Sequence, residues 1–156
     1  MFEYFISDVD GCLNDGNIYW DADGQKPFKA FGNYDHDGVK QLRDHIKLIF
    51  ISADKHGWDI IHSRIGKHMN CELHLVPEKD RYAFVESYGF DKIAYMGDGI
   101  HDAKIIRAAK LGIAPAQARI EARLAADFVT PSRGGEGAYL DAAVHIMKVM
   151  GIPYEF

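Results

Sequence analysis

Short apolar runs alternate along this chain with stretches whose apolar residues recur at helical spacing. The runs at residues 4–9, 48–51, 72–76, 93–96, 111–113 and 128–129 predict strands. Helical spacing marks Val39, Leu42 and Ile46, then 58–65, 81–88 and 102–110, where Ile105, Ile106 and Ala109 form an inner face. Leu140, Val144 and Met147 define a closing helix. Strands separated by helices predict an α/β fold: a Rossmann-like, doubly wound parallel sheet covered on both faces. One segment breaks the alternation. At 17–31, two aromatic runs flank Asp21-Ala22-Asp23-Gly24, which predicts a β-hairpin flap leaving the sheet directly after strand 1.

The polar residues that close these runs add chemistry. The first strand ends in Asp8-Val9-Asp10-Gly11, the second in Ser52, and the fourth in Gly97-Asp98, with Asp102 four residues on. Lys79 opens the helix after the third strand. In an open α/β sheet the carboxyl edge is where ligands bind, and all of these residues project from that edge. Each alone has an ordinary explanation: a serine after a strand commonly caps a helix, and a lysine in a first turn is commonly solvated. Two carboxylates as close as Asp8 and Asp10 need a cation or a shared proton.

Together the residues fit phosphoryl transfer. A carboxylate can attack phosphorus and become an aspartyl-phosphate, a role that falls to Asp8. A second, Asp10, can protonate the leaving oxygen and then activate water. Ser52 and Lys79 can hold the phosphoryl oxygens. Asp8, Asp10 and Asp98 make a hard, oxygen-lined site suited to Mg²⁺, with Asp102 supporting the metal's waters or orienting Lys79. The spacing leaves no room for a cap domain. Only the flap and one helix fit between Asp10 and Ser52, and one helix and one strand between Ser52 and Lys79, so 1–156 reads as one domain.

In order and type these residues resemble the four motifs of the haloacid-dehalogenase-like (HAD) phosphatases. A response-regulator receiver also combines acids, a hydroxyl and a lysine, but in a different order. The flap, Gly11 to Gly16, residues 31–39 and Gly134-Gly135-Glu136-Gly137-Ala138 narrow the resemblance. They are similar to the 3-deoxy-D-manno-octulosonate 8-phosphate phosphatases and their nonulosonate 9-phosphate relatives. The resemblance implies a capless, Mg²⁺-dependent homotetramer in which a neighbouring subunit helps to cover each site. It implies substrate contacts at Gly11, Tyr34, Asp35, Lys40, Ala53, Asp54 and Lys55.

Three positions depart from the octulosonate pattern. Tyr34, Asp54 and Glu136 stand where that family usually carries arginine, and Pro153-Tyr154-Glu155-Phe156 ends the chain without a basic residue. Arginine is the natural bidentate partner of a substrate carboxylate. The expected substrate is therefore a phosphorylated carbohydrate other than octulosonate 8-phosphate, with a nonulosonate 9-phosphate suggested by the acid at Asp54 and the neighbouring Lys55. Octulosonate 8-phosphate itself, a phosphotransferase, and a catalytically idle binding or oligomerisation module are the alternatives.

Composition narrows the field further. The chain has 156 residues, 47% of them apolar, and a net charge of -5 without a basic stripe, which argues against a nucleic-acid partner. Cys12 and Cys71 are in no metal-binding spacing and fit a reducing compartment. With no signal-peptide pattern or membrane-length apolar run, a cytoplasmic protein is expected. His56, His62 and His68 are six residues apart, about 240° at helical pitch, so no metal triad is expected from them. Asp35-His36-Asp37 reads as a helix start or substrate contact, Cys12 as packing, and Gly134 to Gly137 as a loop of special backbone geometry.

Overall fold

The computed structural model describes residues 1–154; Glu155 and Phe156, part of the non-basic tail noted above, lie outside the described residues. Six parallel strands form one sheet in the order β3-β2-β1-β4-β5-β6. They are β1 (Tyr4–Asp8), β2 (Lys47–Ser52), β3 (Glu72–Leu75), β4 (Ile93–Met96), β5 (Leu111–Ala114) and β6 (Phe128–Val129). Strand order reverses between β1 and β4, the crevice where open α/β sheets bind ligands. Every predicted strand is present, and burial of β1, β2, β4 and β5 on both faces explains why those runs read as continuous rather than alternating.

The helices are α1 (Tyr34–Leu42), α2 (Trp58–Ile61), α3 (Glu78–Glu86), α4 (Ala103–Ala108), α5 (Ile120–Ala125) and α6 (Ala138–Met150). Two apolar clusters occupy the two faces of the sheet. In one, Val39 and Leu42 of α1 and Ala142, Ala143 and Ile146 of α6 pack on Phe5 and Phe50, with Tyr139 stacked on Phe5 at 4.8 Å between ring centres. In the other, Val85 of α3, Ile105 and Ile106 of α4 and Ala122 of α5 pack on Ile6, Ile49 and Tyr95. Ile6 pairs in register with Tyr95, so Asp8, two residues on, points to the same face as Tyr95 and α3. No helix among the described residues is long and apolar enough to cross a membrane.

Three elements differ from the sequence reading. The helix predicted at 58–65 is α-helical only to Ile61 and continues as a π-helical segment, His62–His68. The helix predicted at 102–110 begins with a 3₁₀ turn, Ile100–Asp102, which sets Asp102 at the start of α4. The flap is not a paired hairpin. Its arms meet through a single antiparallel bridge, Asn14 with Phe31, and Asp21 N–H donates to Gln25 O across the tip. Tyr19 and Phe28 face each other at 4.8 Å, while Ile18, Trp20 and Phe28 are largely exposed.

Candidate active site

The carboxyl ends of β1, β2 and β4 open onto a cleft of about 520 Å³, lined among others by Asp8, Asp10, Asp98 and Asp102. Asp8 ends β1, almost fully buried. Its Oδ1 accepts Val9 N–H at 2.9 Å and its Oδ2 accepts Arg81 Nη1 at 3.0 Å. The same Nη1 donates to Asp102 Oδ1 at 2.8 Å, and Tyr95 Oη donates to that oxygen at 2.6 Å. Asp102 Oδ2 accepts Gly99 N–H at 2.9 Å. One guanidinium thus ties the first strand's carboxylate to the carboxylate at the head of α4.

Asp10 is one turn of chain further on, in the loop. Its Oδ1 accepts Asn14 Nδ2 and Lys29 Nζ, both at 2.8 Å, and its Oδ2 accepts Ser52 Oγ at 2.9 Å. Ser52 is fully buried behind it at the end of β2. The loop's path depends on Gly11. It has φ +83°, and a Cβ there would stand 2.0 Å from Asp98 Oδ2, so only glycine lets Asp98 close over the loop. Gln117 fastens the loop from below, donating Nε2 to Gly11 O at 2.6 Å while its Oε1 accepts Gly134 N–H at 2.8 Å.

Oxygens of Asp8, Asp98 and Asp102 lie within 4.8 Å of one another. Burial, and then the charge of Asp102, push the Asp98 carboxyl up to about 7. Burial also pushes Asp8 well up, against the opposing pull of Arg81. Two buried carboxylates and the half-buried Asp98, balanced by one guanidinium, form an all-oxygen donor set that fits a small hard dication such as Mg²⁺. Among the described residues this acid set is the only group of three or more such side chains close enough to hold an ion.

The predicted cation is corrected. Lys79 is exposed and does not line the cleft; Arg81, two residues on, is buried in it. Residues two apart on a helix are turned by about 200°, so only one of the pair can face the sheet. Arg81 lies four residues before the buried Val85, and that i, i+4 stripe was the available signal. Asp102 therefore orients Arg81 rather than Lys79.

The expected substrate contacts divide. Ala53, Asp54 and Lys55 line the cleft. Tyr34 is 61% exposed outside it, and Lys40 is exposed and paired with Asp37 at 3.2 Å. Gly11 is buried beneath Asp98. Asp35 is buried under the start of α6, where its Oδ1 accepts Tyr139 N–H at 2.9 Å, so it holds a helix rather than a ligand. Burial pushes its carboxyl up to about 6 despite the N–H groups of Tyr139 and Gly137. Cys12 is packed in the core, and Gly135 and Gly137 have positive φ, as a special loop requires.

Two cleft residues had no place in the sequence reading. The flap lysines Lys26 and Lys29 reach Asp54 Oδ1 at 3.0 Å and Asp54 Oδ2 at 2.7 Å. Burial would raise Asp54, but Lys29, Lys26 and the Gly57 N–H outweigh it and hold the carboxyl well below the usual range. Asp54 is thus already neutralised and has no spare charge for an amine or a sugar hydroxyl. Lys29 faces in beside the exposed Phe28, whereas Lys26 shares the parity of Phe28 and also turns in, so no alternation along the flap marked the pair.

Comparison with protein-family models gives no match. The chain is 29% identical over 155 residues to the 3-deoxy-D-manno-octulosonate 8-phosphate phosphatase of Haemophilus influenzae, covering 96% of this chain and 84% of that protein. It is 24% identical over 152 residues to N-acylneuraminate cytidylyltransferase B of Danio rerio, spanning 93% of this chain and only 36% of that protein. Among solved structures, the cobalt-bound Haemophilus influenzae phosphatase superposes with a TM-score of 0.82 at 29% identity, covering 96% of this chain and 90% of that one. The Moraxella catarrhalis octulosonate phosphatase, in complex with magnesium, phosphate and the sugar acid, gives 0.78 at 27% identity, covering 94% and 86%.

Proposed function

We propose that this chain, which resembles the capless HAD-like phosphatases in motif order and fold, is a Mg²⁺-dependent phosphomonoesterase acting on a phosphorylated carbohydrate. The observation that carries this reading is the meeting of Asp8, Asp10, Arg81, Asp98 and Asp102 in one cleft at the switch point of the sheet. Asp8 attacks phosphorus through a side-chain oxygen, and the bond to the leaving oxygen breaks as Asp10 protonates that oxygen. Asp10, now a carboxylate, takes a proton from water, whose oxygen attacks the phospho-aspartate and releases phosphate and free Asp8. Arg81, fixed by Asp102, offers positive charge beside the nucleophile. Asp8, Asp98 and the main-chain carbonyl of Asp10 would hold Mg²⁺, with Asp102 at its edge. When bound, the ion neutralises charge on the phosphoryl oxygens.

A nonulosonate 9-phosphate is the preferred substrate and octulosonate 8-phosphate the second. Of the three positions without arginine, Asp54 lines the cleft, and the lack of a guanidinium there favours the first. Lys55 in the cleft keeps an acidic sugar acceptable for either. The exposed flap residues Ile18, Trp20 and Phe28 supply an apolar patch for self-association, which we assign to a homotetramer. The two free cysteines suit the cytoplasm. Phosphate release from p-nitrophenyl phosphate, with and without Mg²⁺, tests the activity. Mg²⁺-dependent turnover is expected, with Asp8→Asn abolishing it. A variant that keeps the wild-type rate removes Asp8 as nucleophile, and a panel of sugar phosphates ranks the substrates.

A further inference from the structure

Lys29 is the one flap side chain that reaches the reacting groups. Its stem is almost wholly buried, and its ammonium sits 2.8 Å from Asp10 Oδ1 and 2.7 Å from Asp54 Oδ2. Asp54 is itself fixed: it accepts the backbone N–H groups of His56 and Gly57 and pairs with Lys26. The loop after β2 therefore anchors Asp54, Asp54 anchors Lys29, and Lys29 anchors Asp10. We propose that Lys29, backed by Asp54, is a positioning residue that fixes the Asp10 carboxyl for proton transfer at the leaving oxygen.

The hydrogen-bond inventory gives the device its direction. Asn14 Nδ2 and Lys29 Nζ have only protons to offer, so Asp10 Oδ1 is an acceptor in either state of the carboxyl. Ser52 Oγ, facing Oδ2, can donate or accept by rotating. Oδ1 is thus held by two donors and Oδ2 by one. Without Lys29, only Asn14 would keep Oδ1 in its role, and the carboxyl would lose its tie to the β2 loop. On this reading the acid at Asp54 supports the acid/base group and does not meet the leaving group.

This inference rests on the phosphatase reading, and its test is separable from it. Phenyl and p-nitrophenyl phosphate differ in how much their leaving oxygen needs a proton, and neither ring carries a sugar group for Lys29 to touch. Values of kcat/KM report the step in which the leaving group departs. In Lys29→Met the ratio of phenyl to p-nitrophenyl ester is expected to fall about tenfold, a fraction of the 10²–10⁴ that a positioned acid contributes. Asp54→Asn should lower it in the same direction, and the double variant should fall no further than Lys29→Met alone. An unchanged ratio, with or without an equal loss on both esters, overturns the proposal. So does a loss confined to sugar esters, which makes Lys29 a substrate contact. If Lys29→Met does not fold, the ratio in Asp54→Asn decides alone. A wild-type protein that releases no phosphate from either ester refutes the proposed function instead.

Discussion

Replacing Arg81 by methionine removes the guanidinium and keeps most of the apolar stem. The structure sets the scale of the effect. Arg81 is buried, with bonds of 3.0 and 2.8 Å to Asp8 and Asp102. Removing one partner of a buried ion pair costs roughly 3–5 kcal/mol. A Coulomb count agrees: two carboxylates within 4.8 Å of each other repel by at least about 3.5 kcal/mol at an effective dielectric constant of 20. Without Mg²⁺, the urea-unfolding free energy of Arg81→Met should fall by roughly that 3–5 kcal/mol. Saturating Mg²⁺ should restore part of it, because a dication takes over the charge balance, so Mg²⁺ should stabilise the variant more than the wild type. Turnover of p-nitrophenyl phosphate should drop by about 10²–10³, the scale for losing a preorganised donor. Lys79→Met is the control: at an exposed position it should change stability by less than about 0.5 kcal/mol and leave turnover within twofold. Equal losses in the two variants, or a wild-type rate in Arg81→Met, would refute the assignment of Arg81 as the site's cation.

Asp35 gives a pH prediction. Its folded carboxyl sits at about 6 against an ordinary 3.8, about 2 units or roughly 3 kcal/mol. Because the folded value is raised, the stabilising contribution is complete below the unfolded value and is lost as pH rises through 6. Asp35→Asn, which keeps the acceptor for Tyr139 N–H, should therefore gain about 1–3 kcal/mol over wild type at pH 7.5 and little at pH 4. Urea midpoints at the two pH values check this, and a variant that loses ground as pH rises contradicts it. Sedimentation should show a homotetramer, and Trp20→Lys on the exposed flap should dissociate it; a wild-type monomer would remove the role assigned to the flap.

The sheet was legible because six short apolar runs, separated by helical spacing, admit little besides a parallel α/β fold. Helix α5 was not legible: Ala122 is its only buried residue, and Ile120 and Leu124 face solvent, so no apolar stripe marks it. Asp8, Asp10, Ser52, Asp98 and Asp102 could be placed because strand ends bring them to one edge. Choosing between Lys79 and Arg81 required the rotational setting of α3, which the Arg81–Val85 stripe carries and the first-turn position of Lys79 obscures. Tyr34, Asp35 and Lys40 were assigned by likeness rather than by geometry. Asp35 turned out to serve α6, a contact across 104 positions of sequence that local pattern does not encode. The flap's aromatics suggested strands, but side chains rather than backbone pairing tie it down.

The two edges of the sheet carry a consequence for the protein's behaviour at high concentration. An open parallel sheet offers unpaired backbone groups along both outer strands, a template for edge-to-edge aggregation. Here one outer strand, β6, is only two residues long. The other, β3, carries Glu72 and His74, joined at 2.7 Å, with Lys47 on Glu72 at 2.8 Å. A stranger's strand docking at β3 would have to strip water from these charges, and at β6 it would find little to pair with. Brevity at one edge and charge at the other disfavour association of one sheet with another.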